Sequence, residues 1–150
     1  MHLRGAYANL RRHSNRVFLP FGMTSDQYVL LAVLAHDKEA TQQELVRRCY
    51  SDTATMGTML SLLEAKGLVT RKPHPRDGRA WRVELSPAGR MLTEKMRRSS
   101  SRLRAELATL FEEQELRILL ELLERLAGAM RSGSRRGKAV STRRPKTALK

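Results

Sequence analysis

Apolar and polar residues along this chain change period twice, and the changes mark out its elements. From Leu3 to Phe18, the apolar positions Leu3, Ala6, Leu10 and Val17 recur at roughly helical spacing among many arginines, which predicts an amphipathic helix ended by Pro20 and Gly22. Thr24-Ser25-Asp26-Gln27 has the form of a capping box, in which the Thr hydroxyl and the Gln three residues on satisfy backbone donors that the first helical turn leaves free. The helix it opens, to about Ala35, is apolar nearly all round from Tyr28 to Leu34 and is expected at the centre of the fold. Thr41-Gln42-Gln43-Glu44 is a second capping box, opening a short helix through Leu45, Val46 and Arg48, with a break at Tyr50-Ser51-Asp52. Asp52 can cap the next helix, Thr53 to Lys66, whose Met56, Met59, Leu60 and Leu63 form one apolar face and whose stop is Gly67.

The period then falls to two. Trp81, Val83 and Leu85 alternate with polar residues, as a strand with one buried face requires, and Leu68-Val69-Thr70 supplies the opposite strand of a hairpin. Between them, Lys72 to Arg79 holds two prolines that cannot donate to a ladder and an Asp77-Gly78 pair suited to positive φ, so this stretch reads as a loop. Ser86-Pro87 then offers an N-cap and a proline at the first helical position, and Leu92, Met96, Ser99, Leu103, Leu107 and Leu110 carry one helix to about Leu110. A last helix, from near Glu112 to near Met130, has two apolar stripes: Leu116, Leu119, Leu120, Leu123, Leu126, Ala127 and Met130 on one, Ile118, Leu122 and Ala129 on the other. Two apolar faces need two partners. This helix and Leu3 to Phe18 are therefore read as a homodimer interface. Two short helices joined by a tight turn and followed by a basic hairpin describe a winged helix-turn-helix, in a mainly α fold with a small β-hairpin wing.

Charge adds a partner. The chain of 150 residues has a formal net charge of +14, more than solubility requires, and is large enough for one core. Between Arg71 and Arg82 five Arg or Lys stand against one Asp, so a basic ribbon projects from a helical body and calls for a polyanion. From Ser132 to Lys150 there are seven basic residues and no acid. That stretch has no apolar periodicity and reads as a disordered basic tail, so that residues 1–131 form the folded domain.

Other classes recede. The single cysteine, Cys49, excludes an internal disulfide and, at the end of a short core-facing helix, reads as a small buried hydrophobe rather than a redox sensor. No signal peptide or stretch of eighteen apolar residues is seen, so a cytoplasmic protein without a membrane partner is expected. The four histidines lack metal-ligand spacing, and neither a metal nor another cofactor is expected. No glycine-rich phosphate loop, nucleophile elbow or paired catalytic carboxylates occur, so an enzyme is not expected.

Leu63-Glu64-Ala65-Lys66-Gly67-Leu68-Val69, with Asp77-Gly78-Arg79 and Leu85-Ser86-Pro87-Ala88-Gly89 at their spacing, resembles the MarR family of multiple-antibiotic-resistance-type regulators. The resemblance runs from about residue 4 to 130. It implies six helices and a wing per subunit, dimerisation helices at 1–22 and 86–131 around a winged helix-turn-helix at 24–85, and a double-stranded, pseudo-palindromic operator. It implies that the helix from Thr53 enters the major groove, with Thr53, Ala54, Thr55, Thr58 and Ser61 at the bases. Arg71, Lys72 and Arg76 join them from the wing, where Arg79 reaches the minor groove and Asp77 holds it. Relatives usually carry Arg or Lys near the positions of Thr53 and Thr58, and this helix has no cation before Lys66. Modest direct readout is therefore expected, with more affinity from phosphates and DNA shape. The resemblance further implies a repressor released by a small aromatic or anionic effector, for which Arg11, His13, Arg16, Phe18 and Tyr28 are the candidate contacts. The alternative is an architectural DNA-binding protein that uses the basic wing and tail with weak specificity.

Overall fold

In the computed structural model the backbone is described for residues 1–74 and 77–136, and side chains for 1–74 and 81–129. The chain divides into two compact units, 1–103 and 104–150. In the first, helix α1 (His2–Phe18) and a short 3-10 turn lead to α2 (Ser25–Asp37), strand β1 (Glu39–Thr41), α3 (Gln42–Arg48), α4 (Thr53–Ala65), β2 (Val69–His74), β3 (Asp77–Leu85) and α5 (Pro87–Ser99). Helix α6 (Ser101–Ala108) crosses the division and α7 (Glu113–Arg136) belongs to the second unit. The fold is mainly helical with a winged helix-turn-helix, as the residue periods require.

Local chemistry starts the helices where the sequence places them. Thr24 Oγ1 accepts from the Gln27 N–H at 3.2 Å while Gln27 Oε1 accepts from the Thr24 N–H at 3.0 Å. The Thr41 and Glu44 pair repeats this at α3, with 3.3 and 2.7 Å. Asp52 and Ser86 cap α4 and α5 by accepting from the N–H groups of Thr55 and Gly89, at 2.8 and 3.0 Å. Gly67, at φ 67°, closes α4 in the left-handed region that a Cβ disfavours.

The core of the first unit gathers Leu30, Leu31 and Leu34 of α2, Leu45 of α3, Met56, Leu60 and Leu63 of α4, Val69, Val83 and Leu85 of the sheet, and Met96 of α5, all essentially without solvent contact. Helix α2 is thus the central element.

Three features of the first unit differ from the sequence reading. The sheet has a third strand: β1 pairs antiparallel with β3, Ala40 facing Val83, so the order is β1-β3-β2. Three residues are too few to display a period. The ribbon is also longer than the stretch Lys72 to Arg79, read as loop, allowed: β2 reaches His74 and β3 begins at Asp77, with Pro73 opposite Trp81 and a register shift at Pro73–His74. Because β2 is an edge strand, the proline nitrogen can face away from the ladder. Finally, the helix read as continuous to Leu110 is interrupted at Ser100. Ser100 Oγ donates to the Arg97 carbonyl at 2.9 Å and Ser101 Oγ to that of Arg98 at 2.6 Å; such hydroxyls compete for the carbonyls that helical N–H groups use.

In the second unit, Glu115 accepts from the Glu112 N–H at 2.9 Å to start α7, which continues to Arg136, past the end expected near Met130. Its apolar stripe is open: Ile118, Leu120, Leu122, Leu123 and Leu126 are 40–56% exposed. Among the described residues no single helix is long and apolar enough to cross a membrane. The tail assigned as disordered lies outside the described residues from 137 onward.

Candidate nucleic-acid interface

The turn between α3 and α4 is tied from both sides. Cys49 N–H donates to the Leu45 carbonyl at 2.8 Å and Ser51 N–H to that of Val46 at 3.1 Å, while Tyr50 takes a positive φ of 51°. Gln42 Nε2 donates to the Thr53 carbonyl at 3.3 Å, joining the first turns of the two helices. Asp52 also accepts from Thr55 Oγ1 at 2.7 Å, and the N–H and hydroxyl bonds from Thr55 hold its carboxyl below the ordinary aspartate value.

With Met56, Leu60 and Leu63 turned inward, the opposite side of α4 is fixed by helical geometry. Thr53, Ala54, Thr55, Thr58 and Ser61 are all exposed on it. Thr58 Oγ1 donates to the Ala54 carbonyl at 3.1 Å, which leaves its oxygen lone pairs outward. Lys66 is occupied elsewhere, its Nζ donating to the Gly22 carbonyl at 2.8 Å. The face is therefore polar, small and without charge.

The wing is attached to this helix by a side chain read from the sequence as a DNA contact. Arg71 donates from its terminal nitrogen to Ser61 Oγ at 3.2 Å, and its Nε stands 3.1 Å from Glu64 Oε2, near enough for an ion pair though out of line for a hydrogen bond. Lys72 Nζ lies 2.5 Å from Glu84 Oε1, and this bond, ahead of burial, moves the Glu84 carboxyl below its ordinary value. Arg82 pairs with Glu39 of β1 and lies 3.5 Å from His74 Nε2. Three of the five cations counted along the ribbon thus face carboxylates brought from α4, β1 and β3. Arg76 lies outside the described residues. Asp77 and Arg79 have described backbone, in β3, but their side chains lie outside the description.

The foot of the wing is closed by a joint with α5. Ser86 N–H donates to the Leu68 carbonyl at 3.0 Å, and Ser86 Oγ donates to that of Gly67 at 2.6 Å while accepting from the Gly89 N–H. Gly89 presses on Leu68 so closely that a Cβ there would lie 2.0 Å from the Leu68 oxygen. The requirement for glycine in the Leu85–Gly89 stretch is this backbone contact.

Of the five effector candidates, Arg11, His13, Arg16 and Phe18 lie on α1 and Tyr28 on α2. Phe18 is buried and its ring lies 4.4 Å from that of Tyr28, an aromatic pair in the core; Arg11 pairs with Asp26 at 3.0 Å, and His13 and Arg16 are exposed. A cavity of about 570 Å³ opens beside the start of α4, lined by Tyr7, Asp26, Cys49, Tyr50, Asp52 and Met59 among others. Burial pushes the Cys49 thiol up, against the opposing pull of Arg48. The sequence signal for this cavity was weak: its walls come from α1, α2, the α3–α4 turn and the start of α4, and it includes none of the five candidates. Among the described residues no group of three or more His, Cys, Asp or Glu side chains stands together as metal donors would.

A family model described as MarR family matches residues 21–80. Over 105 residues the chain is 30% identical to YdgJ, an uncharacterized helix-turn-helix-type transcriptional regulator of Bacillus subtilis; the match covers 70% of this chain and 64% of that protein, just under two thirds of the relative. Among solved structures, a mutant of MarR from E. coli complexed with operator DNA is similar at TM-score 0.75 and 26% identity, covering 83% of this chain and 89% of that one. The M. tuberculosis transcriptional regulator MOSR in complex with DNA is similar at TM-score 0.74 and 27% identity, covering 87% and 96%.

Proposed function

The chain belongs to the MarR family, and from that premise we propose that it is a dimeric, sequence-specific DNA-binding transcription regulator, a repressor released by a small ligand. The observation that carries the reading is the uncharged outward face of α4 with the wing fastened to its flank through Arg71, Ser61 and Glu64. A helix presenting hydroxyls and methyls fits a major groove, and a ribbon held at a fixed offset suits the adjoining minor groove. Thr53, Ala54, Thr55, Thr58 and Ser61 form the base-facing set. Arg79, with Asp77 as its support, is the minor-groove residue; Arg76 meets a phosphate, and Lys72 does so only by exchanging Glu84 for the DNA backbone. Arg71 is a positioning residue.

Dimerisation follows from unsatisfied apolar surface. The exposed leucines of α7 and, separately, Leu3, Tyr7 and Leu10 of α1 at 44–59% exposure would be costly to leave in water and suit a second copy of the chain. Two copies place two α4 helices on successive major grooves, about 34 Å apart.

For release, the cavity beside Asp52 is the working site. Its lining includes Asp26 and Asp52, Tyr7 and Tyr50, and no Lys, Arg or His, so a neutral aromatic ligand fits better than an anion. A ligand there would bear on the cap of α4 and bias the spacing of the two recognition helices.

Selection of genomic fragments by the purified protein, followed by footprinting, tests the reading. A discrete protected pseudo-palindrome supports it; uniform coverage abolished by moderate salt would instead favour the architectural alternative, to which the net charge of +14 lends support.

A further inference from the structure

One large apolar side chain on the wing has no place in the core. Trp81, the only tryptophan in the chain, is 54% exposed. Along β3 it shares a face with Val83 and Leu85, which are buried, and across the ladder that face continues through Val69, Arg71 and Pro73, paired with Leu85, Val83 and Trp81 respectively. This is the side of the ribbon turned to α4, because Arg71 reaches Ser61 and Glu64 from it. Beyond Arg71 the helix no longer covers the face, and Pro73 and Trp81 extend it into solvent. The paired cations Lys72 and Arg82 stand on the other face.

We propose that Trp81, with Pro73 opposite it, packs against the deoxyribose edge of the DNA strand that runs between the groove taken by α4 and the groove taken by the wing tip. This rests on the reading of the protein as a DNA-binding regulator. The surface is continuous with the exposed side of α4, and the chain's charge of +14 draws a polyanion to it. A strand crossing from one groove to the next exposes sugar carbons as well as phosphates. At this stretch of the wing the described side chains offer an indole and a pyrrolidine instead of a free cation, so the contact is apolar. Trp81 therefore fixes how deeply the ribbon seats on the duplex, while reading no base.

Because no other tryptophan is present, the tryptophan emission of the unaltered protein, excited at the red edge where its three tyrosines do not absorb, reports this position alone. A duplex selected from a randomised pool, labelled at one end, gives binding by anisotropy, and acrylamide quenching of the bound complex gives the accessibility of Trp81. We expect quenching to fall on binding, Trp81→Ala to weaken affinity about fivefold to tenfold, and Trp81→Phe to stay within about twofold of the parent. Undiminished quenching in a complex that anisotropy shows to be formed would overturn the contact, as would an unaltered affinity of a folded Trp81→Ala protein. If no duplex binds at any salt concentration, the DNA-binding reading itself falls and the Trp81 contact with it. Protection of Trp81 that appears without DNA as protein concentration rises would assign the face to self-association and likewise overturn the proposal.

Discussion

Replacing Gly89 by alanine puts a single methyl group where the wing meets α5, and the outcome can be worked from the contacts there. The added carbon would stand 2.0 Å from the Leu68 oxygen and 3.0 Å from its carbonyl carbon. Both atoms are backbone, so no side chain can turn aside, and the start of α5 must move away from the wing foot by roughly 1 Å or more to restore ordinary contact. That movement stretches the bonds from Ser86 to Leu68 and Gly67, each worth about 1 kcal/mol, and adds overpacking strain of about 1–3 kcal/mol. Alanine returns up to about 1 kcal/mol through its helix preference. The net expectation is a loss of about 2–4 kcal/mol, which lowers Tm by roughly 5–15 °C for a domain of this size. Thermal unfolding followed by circular dichroism, with urea midpoints at unchanged slope, measures it. An alanine variant that melts at or above the parent temperature would refute the reasoning, because the close approach would then carry no energetic consequence.

Three further outcomes follow from the same structure. Arg71→Ala should weaken operator binding while leaving the slope of log affinity against log salt nearly unchanged, because the Arg71 charge is already matched by Glu64; a slope reduced by about one unit would mark it as a phosphate contact after all. Arg79→Ala should cost about 1–3 kcal/mol of specific binding at fixed salt, and an unchanged operator affinity by anisotropy would remove it from the minor groove. The Glu44 carboxyl is held below its ordinary value of 4.5, chiefly by the Thr41 N–H and then by the Thr41 hydroxyl. A depressed folded value contributes stability that is complete above the unfolded value and is lost as pH falls through the folded one. Glu44→Gln, which keeps an acceptor but cannot titrate, should therefore flatten the decline in stability below about pH 4.5, as urea midpoints across that range would show; a decline of unaltered steepness would contradict the assignment.

How far the fold could be read in advance depended on the range of each interaction. The caps at Thr24, Thr41, Asp52 and Ser86 close over three residues, so local chemistry dictates them, and the stripe Met56, Leu60, Leu63 needs only the helical period. Strand β1 could not be read this way, since Ala40 becomes strand only when Val83 is beside it. The break at Ser100 was hidden because apolar spacing runs through it unchanged, while hydroxyls at Ser100 and Ser101 take the carbonyls. At the interface, the exposed side of α4 was legible for the same reason as its buried side. The charge of the wing was not: counting along the ribbon finds five cations and one acid, yet Glu39 and Glu64 arrive from distant elements, and the pairing of Lys72 with Glu84 depends on the hairpin register. The cavity beside the start of α4 was the least legible feature, since residues of α1, α2, the α3–α4 turn and α4 itself line it only once the chain has folded.

The uncharged face of α4 is proposed to lie in the major groove, twice per bound duplex. Methylation protection with dimethyl sulfate on a selected operator reads this directly, because guanine N7 opens to the major groove and adenine N3 to the minor. The account requires two clusters of protected guanine N7 about 10 base pairs apart, with adenine N3 protection flanking them where the wings sit. A stable, specific complex in which guanine N7 stays fully reactive throughout the footprint would contradict it.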